Sequence, residues 1–248
     1  MKRENNGLSI ESDLKSNELD TSWVNREEKE APREREFYRG EEIAHAATHG
    51  AGVILGIVGL ILMLIKASSS GASAIIGAAV FGAALMILYS ASFAYHGSCA
   101  LYGSVAPSKI RDICMKCDHS LIYILILGTY TPACISAMGG FVGYLVFGVV
   151  LATCLVGIVL NVIDVERFMK ISLVLYLIAG WTIALAIKPY YNAIGKDGII
   201  LLVLGGVAYT VGVLFYKAKK IPYMHIIWHV FVLLGSFFHF LMVYLYCI

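Results

Sequence analysis

From about residue 43 to the C-terminus, long apolar runs alternate with short polar or glycine-rich breaks. The runs fall at roughly 43 to 66, 72 to 98, 112 to 136, 140 to 163, 169 to 188, 197 to 216 and 223 to 246. A helix rising about 1.5 Å per residue needs about 20 residues to cross a hydrocarbon layer of about 30 Å, and each run meets that length. The breaks "KASSSGAS", "GSCALYGSVAPSKIRD", "AMGG", "DVERFMK", "KPYYNAIGKDG" and "KAKKIPY" each combine Gly, Pro, Ser or charge. The pattern predicts an all-α membrane protein, a bundle of seven transmembrane helices over residues 41–248. Residues 1–40 are dense in both charge signs and poor in large apolar side chains, which predicts a disordered, charged cytoplasmic tail. The tail has no apolar stretch and cleavage site of a secretory signal, so no processing is expected.

Composition agrees with this pattern. Hydrophobic residues make up 59% of the chain and its mean hydropathy is +0.77, values that point to integral insertion in a cell membrane, with lipid rather than nucleic acid as the partner. The net charge of +2 hides an asymmetry, because twelve of the seventeen acids lie in residues 1–42. Basic residues orient the bundle, since loops rich in Lys and Arg stay in the cytoplasm. With the tail inside, the inner segments hold eight, three, two and three basic residues, sixteen in all, against Lys66, Lys188 and Lys196 outside. The N-terminus is therefore expected in the cytoplasm and the C-terminus outside. Frequent Gly and Ala, as in "GASAIIGAAVFGAAL", suit close helix packing in lipid.

On this topology the polar residues gather at one depth. His96 ends the second run, Asp118 opens the third, and "HIIWH" puts His225 and His229 at the start of the last; all are cytoplasmic ends. Residues four apart on a helix differ by about 40° in direction and about 6 Å in height, so both imidazoles of "HIIWH" reach one ion at the usual Zn–N distance of about 2.0 to 2.1 Å. The same spacing puts Ser92 on the face of His96. Two readings fit these residues, a metal site and a set of hydrogen-bonded packing residues; ionisable groups in a membrane turn toward the bundle interior in either. Other features point to structure. Cys114 and Cys117 form a lone C-x-x-C on the cytoplasmic side and read as reduced thiols. His239 lies ten residues past His229, about 15 Å along the helix, and is expected to make an interior hydrogen bond. Pro132 in "GTYTP" should kink or end its helix, and Asp164, Glu166 and Arg167 are expected to pair with one another.

The motifs "EEIAHAATHG", "SASFAYHGSCALY", "KCDHSLIYILILGTYTP" and "HIIWHVFVLLGSFFHF", in this order, resemble the signatures of the hemolysin III family. That family is the bacterial branch of the progestin and adipoQ receptor superfamily, which includes the adiponectin receptors and is distantly related to alkaline ceramidases. The resemblance covers about residues 41–248. It implies a seven-helix bundle with Zn2+ near the cytoplasmic end, with His96, His225 and His229 as ligands, Asp118 holding a zinc-bound water and Ser92 supporting it. Glu42, His45 and His49, spaced three and four apart on one helical face, would stand behind the ligands and fix their tautomers. His45 departs from the pattern, which has Asn or Ser at that position, and a ligand role for it stays open.

Three imidazoles with one open position are the arrangement of catalytic zinc, and a water there has its pKa lowered to about 7. With Asp118 as general base and the site facing membrane depth, the expected chemistry is hydrolysis of a lipid amide or ester, in the manner of a ceramidase, in the service of membrane lipid homeostasis. The alternatives are a pore-forming cytolysin, which the family name records, and a zinc-stabilised receptor or transporter without catalysis. No acid lies near the middle of any run, which leaves a proton or cation relay few stations.

Overall fold

In the computed structural model the described residues are 22–103, 108–218 and 221–248, with side chains from residue 39 onward except at 108. The expected tail lies outside the described residues from 1 to 21, and from Ser22 the chain is helical. Residues 39–248 form one compact unit, separate from the segment that precedes it.

The described chain is helical and carries no strand. Helix α1 spans Ser22–Ala67, α2 Ala72–Tyr102, α3 Ser108–Thr131, α4 Gly140–Trp181, α5 Ile187–Lys217 and α6 Met224–Met242. Five stretches are long and apolar enough to cross a membrane: Arg39–Ala67, Ala72–Tyr102, Lys109–Met138, Gly140–Lys217 and Met224–Cys247. The fourth runs through α4, a 3-10 turn at Thr182–Ala186 and α5, for 78 residues. At about 1.5 Å per residue, such a length is more than three times the hydrocarbon thickness. The segment bends where its backbone leaves the helical region, at Asp164 and at Gly195.

Each break has a local cause. Pro132 cannot donate to the helix ladder, and α3 ends at Thr131 in a π-helical turn, Pro132–Met138. Gly139 then takes φ +60, a left-handed conformation that glycine adopts without a Cβ penalty. At Asp164 the side chain does not pair with Arg167 as expected. Its Oδ1 accepts the Arg167 backbone N–H at 3.0 Å, which caps the helical run restarting there. The break expected over residues 188–198 is confined to Gly195, at φ +69, and Pro189 sits in the first turn of α5, where no N–H is needed.

Apolar residues outside these breaks face either lipid or the core. Ile54, Leu55, Phe141 and Leu185 are exposed, whereas Phe81, Tyr123, Tyr190 and Met242 are fully buried. Helix α2 packs on α3, α3 on α4 and α5 on α6. The α1 backbone closes the ring: a Cβ at Gly52 would meet Tyr89 of α2 and Leu233 of α6. That approach brings the stretch of α1 from Glu42 to His49 beside the end of α2 and the start of α6, where the histidines are.

A buried histidine and glutamate cluster

Three helices supply the cluster. Helix α1 gives Glu42, His45, Thr48 and His49, α2 gives Ser92 and His96, and α6 gives His225 and His229. Glu42, His45 and His49 fall on one face, as the three-and-four spacing predicts, and all three are buried while Ile43 between them is exposed. Donor atoms of His96, His225 and His229 lie within 4.8 Å of one another, as do those of Glu42, His45 and His96, so either group could hold a metal ion.

Hydrogen-bond partners assign the tautomers. His96 Nδ1 is 2.7 Å from Glu42 Oε2, a carboxylate that only accepts, so Nδ1 carries the proton and Nε2 keeps its lone pair. That Nε2 is buried without a hydrogen-bond partner. His229 Nδ1 is 3.2 Å from Thr48 Oγ1, whose single proton is already donated to the His45 carbonyl at 2.7 Å. The hydroxyl therefore accepts, His229 is protonated at Nδ1, and its Nε2 lone pair faces His225 Nε2 at 3.2 Å. Two nitrogens of two helical turns thus point at one another with at most one proton between them.

The remaining members surround this pair. The His49 ring stacks on His229 at 3.8 Å and 18°, with neither nitrogen hydrogen-bonded. The His45 ring is 4.8 Å from both His96 and His225 and 5.2 Å from His229. Ser92 Oγ is buried without a partner. A cavity of about 40 Å³ opens beside the cluster, lined by Ser92, His49, His225, His229 and, from α3, Asp118. Asp118 shares this cavity without joining either donor group, and its Oδ2 is 3.8 Å from His119 Nδ1. His119 is oriented from both sides, by the Met115 carbonyl at 3.0 Å and the Tyr216 hydroxyl at 3.1 Å.

The structure thus brings together His96, His225 and His229, stands Glu42, His45 and His49 against them, and has Ser92 and Asp118 line the adjoining cavity. Thr48 and Tyr216 were not singled out from the sequence; a threonine three residues after a histidine is the only trace the former leaves. His239 lies apart from the cluster, buried, with Nε2 3.2 Å from the Leu202 carbonyl, as its distance along the helix predicts. Cys114 and Cys117 are free thiols.

The family model described as Haemolysin-III related matches residues 37–240. The chain is 41% identical over 209 residues to the hemolysin-3 homolog of Bacillus subtilis, covering 84% of this chain and 95% of the relative. It is 41% identical over 197 residues to hemolysin-3 of Bacillus cereus, covering 79% and 87%. A more distant relative is the human monocyte to macrophage differentiation factor, 28% identical over 212 residues, covering 81% and 82%.

Proposed function

Because the chain belongs to the haemolysin-III related family and is a multi-pass cell-membrane protein, we propose that it holds a zinc ion between His96, His225 and His229 and uses it on membrane lipid. One observation carries this reading, the 3.2 Å between the Nε2 atoms of His225 and His229. Two ligands of a tetrahedral zinc at about 2.0 to 2.1 Å stand about 3.3 Å apart. Proton bookkeeping supports it, since His96 and His229 each keep a proton at Nδ1 against an acceptor and leave Nε2 bare. Charge supports it too. Among the described residues the buried Glu42 carboxylate has ion-pair contacts only with His45 and His96, so neutral imidazoles leave it without a counter-charge that a divalent cation supplies.

In this reading the bends at Asp164 and Gly195 divide the 78-residue segment into three spans, seven in all, with the N-terminus and the cluster on the cytoplasmic side. Zinc with an open fourth position supplies Lewis-acid polarisation and water activation. The rest falls to the chain. Glu42 and Thr48 orient two ligand rings, Ser92 offers a hydroxyl to whatever enters the cavity, and Asp118 on its wall takes up the proton released in hydrolysis of a lipid amide or ester. Purified in mild detergent, the protein should carry about one zinc per chain by elemental analysis, and a His225→Ala/His229→Ala variant should carry none; full occupancy in that variant overturns the assignment.

The relatives named hemolysin-3 favour a second reading, membrane permeabilisation. Dye release from vesicles by the purified wild type, undiminished in the metal-free variant, would favour it over lipid hydrolysis.

A further inference from the structure

The rings of His45, His96, His225 and His229 occupy the corners of a tetrahedron. Their six centre-to-centre separations are 4.8, 4.8, 5.2, 5.5, 5.0 and 4.7 Å. Four imidazoles radiating from one tetrahedral zinc, with Zn–N about 2.0 to 2.1 Å, have ring centres about 5.2 Å apart. His49, equally buried and on the same face of α1, is not at such a corner; it lies flat on His229 at 3.8 Å. The arrangement therefore singles out His45 from its neighbour.

His45 shares with His49 a ring whose two nitrogens make no hydrogen bond, and its nearest charged partner is Glu42. Both ring nitrogens are buried and without hydrogen-bond partners, and the residue is 4% exposed. Leaving a buried polar group unpartnered is costly, and a packing histidine escapes that cost as His119 does here, by bonding to a carbonyl and a hydroxyl. Nδ1 of His45 is 3.8 Å from Glu42 Oε1, and its donors lie within 4.8 Å of those of Glu42 and His96. Its donors are grouped with those of Glu42 and His96 and not with those of His225 and His229, so the ring must turn for a nitrogen to face the centre of the four rings. The Asn or Ser expected at this position from the motif pattern has a shorter side chain without an imidazole.

We infer that His45 is a fourth nitrogen ligand of the metal centre, so that the resting site of this chain is closed by four histidines and water gains the ion only when His45 leaves. The inference rests on the proposed metal centre and adds a regulatory element to it. A zinc with four protein ligands has no vacant place, whereas three ligands and a vacancy are the catalytic form. His45 comes from α1 and is not among the residues lining the Asp118 cavity.

Cobalt(II) in place of zinc, with azide as a small competing anion, tests this without reference to turnover. The wild type in detergent should bind one cobalt with a visible spectrum that added azide leaves unchanged. His45→Asn should still bind cobalt, about 10- to 100-fold more weakly, and its spectrum should shift on azide addition. X-ray absorption of the zinc-loaded wild type should count four imidazoles, a measurement that does not depend on the variant's folding. Three imidazoles with a wild-type spectrum that answers to azide overturns the role of His45 and leaves the metal centre standing. No cobalt or zinc bound by the wild type overturns both.

Discussion

A buried imidazole binds a metal through the nitrogen that has lost its proton, so the residue that keeps the other proton in place matters as much as the ligand. Glu42 does this for His96, and Thr48 for His229. Glu42→Gln presents an amide that can turn its NH2 toward Nδ1, which would favour the wrong tautomer; zinc affinity, measured by competition with a chelating dye, should fall about 10- to 100-fold. Asp118→Asn is the complementary change. Because Asp118 belongs to neither donor group, the variant should keep its zinc yet lose release of fatty acid from amide or ester lipids, assayed on the same preparation. Retained activity would make the metal structural and end the hydrolase proposal. Much of the cluster was legible from spacing: "HIIWH" and "SFAYH" put ligand-type residues four apart on single helices, and Glu42, His45 and His49 share a face. Thr48 was not legible. A hydroxyl next to a histidine is common on helices, and only the position of His229, on a helix more than 180 residues further along the chain, turns it into an acceptor.

Helices meet closely here because glycine leaves room for a particular neighbour. At Gly157 of α4 an added Cβ would run into the Tyr123 ring of α3, and at Gly205 of α5 into the His239 ring of α6. Gly148 and Gly97 have nothing within 4 Å of that position. Gly157→Val and Gly205→Val should therefore lower the thermal unfolding temperature by several degrees, in line with an overpacking cost of about 1 to 3 kcal/mol. Gly148→Val and Gly97→Val act as controls for helix propensity alone and should change it far less. If all four fall equally, close packing at the first two sites is not the cause. The sequence marked these glycines as packing positions as a class but not their partners, since a small residue names no neighbour. Breaks were read more fully. Pro132 and the left-handed Gly139 end elements as their chemistry dictates. At "DVERFMK" and "KPYYNAIGKDG", by contrast, the polar residues suggest loops, while capping by Asp164 and the tolerance of a first helical turn for Pro189 keep nearly every residue helical.

At the scale of the molecule, the cluster joins the first helix of the compact unit to its last. In the proposed centre donors from α1, α2 and α6 would meet at one ion, so zinc binding would be coupled to the closure of the ring of helices as well as to chemistry. Removing zinc with a chelator should lower the unfolding temperature of the wild type and leave that of His225→Ala/His229→Ala unmoved. A shift of equal size in both would mean that the chelator acts elsewhere. The proposed cytoplasmic placement of the cluster rests on sixteen basic residues against three, and it has its own test. In a background with all six native cysteines replaced, a membrane-impermeant thiol reagent added to intact cells should label a cysteine placed at Asn192, in the segment between the fifth and sixth apolar runs, and not one placed at Lys109, just before the third. Both positions are exposed, so the contrast reports sidedness and not burial. The reverse pattern would turn the bundle over and put Asp118 and the histidines at the outer face. A lipid substrate would then have to be drawn from the outer leaflet, and zinc from outside the cell.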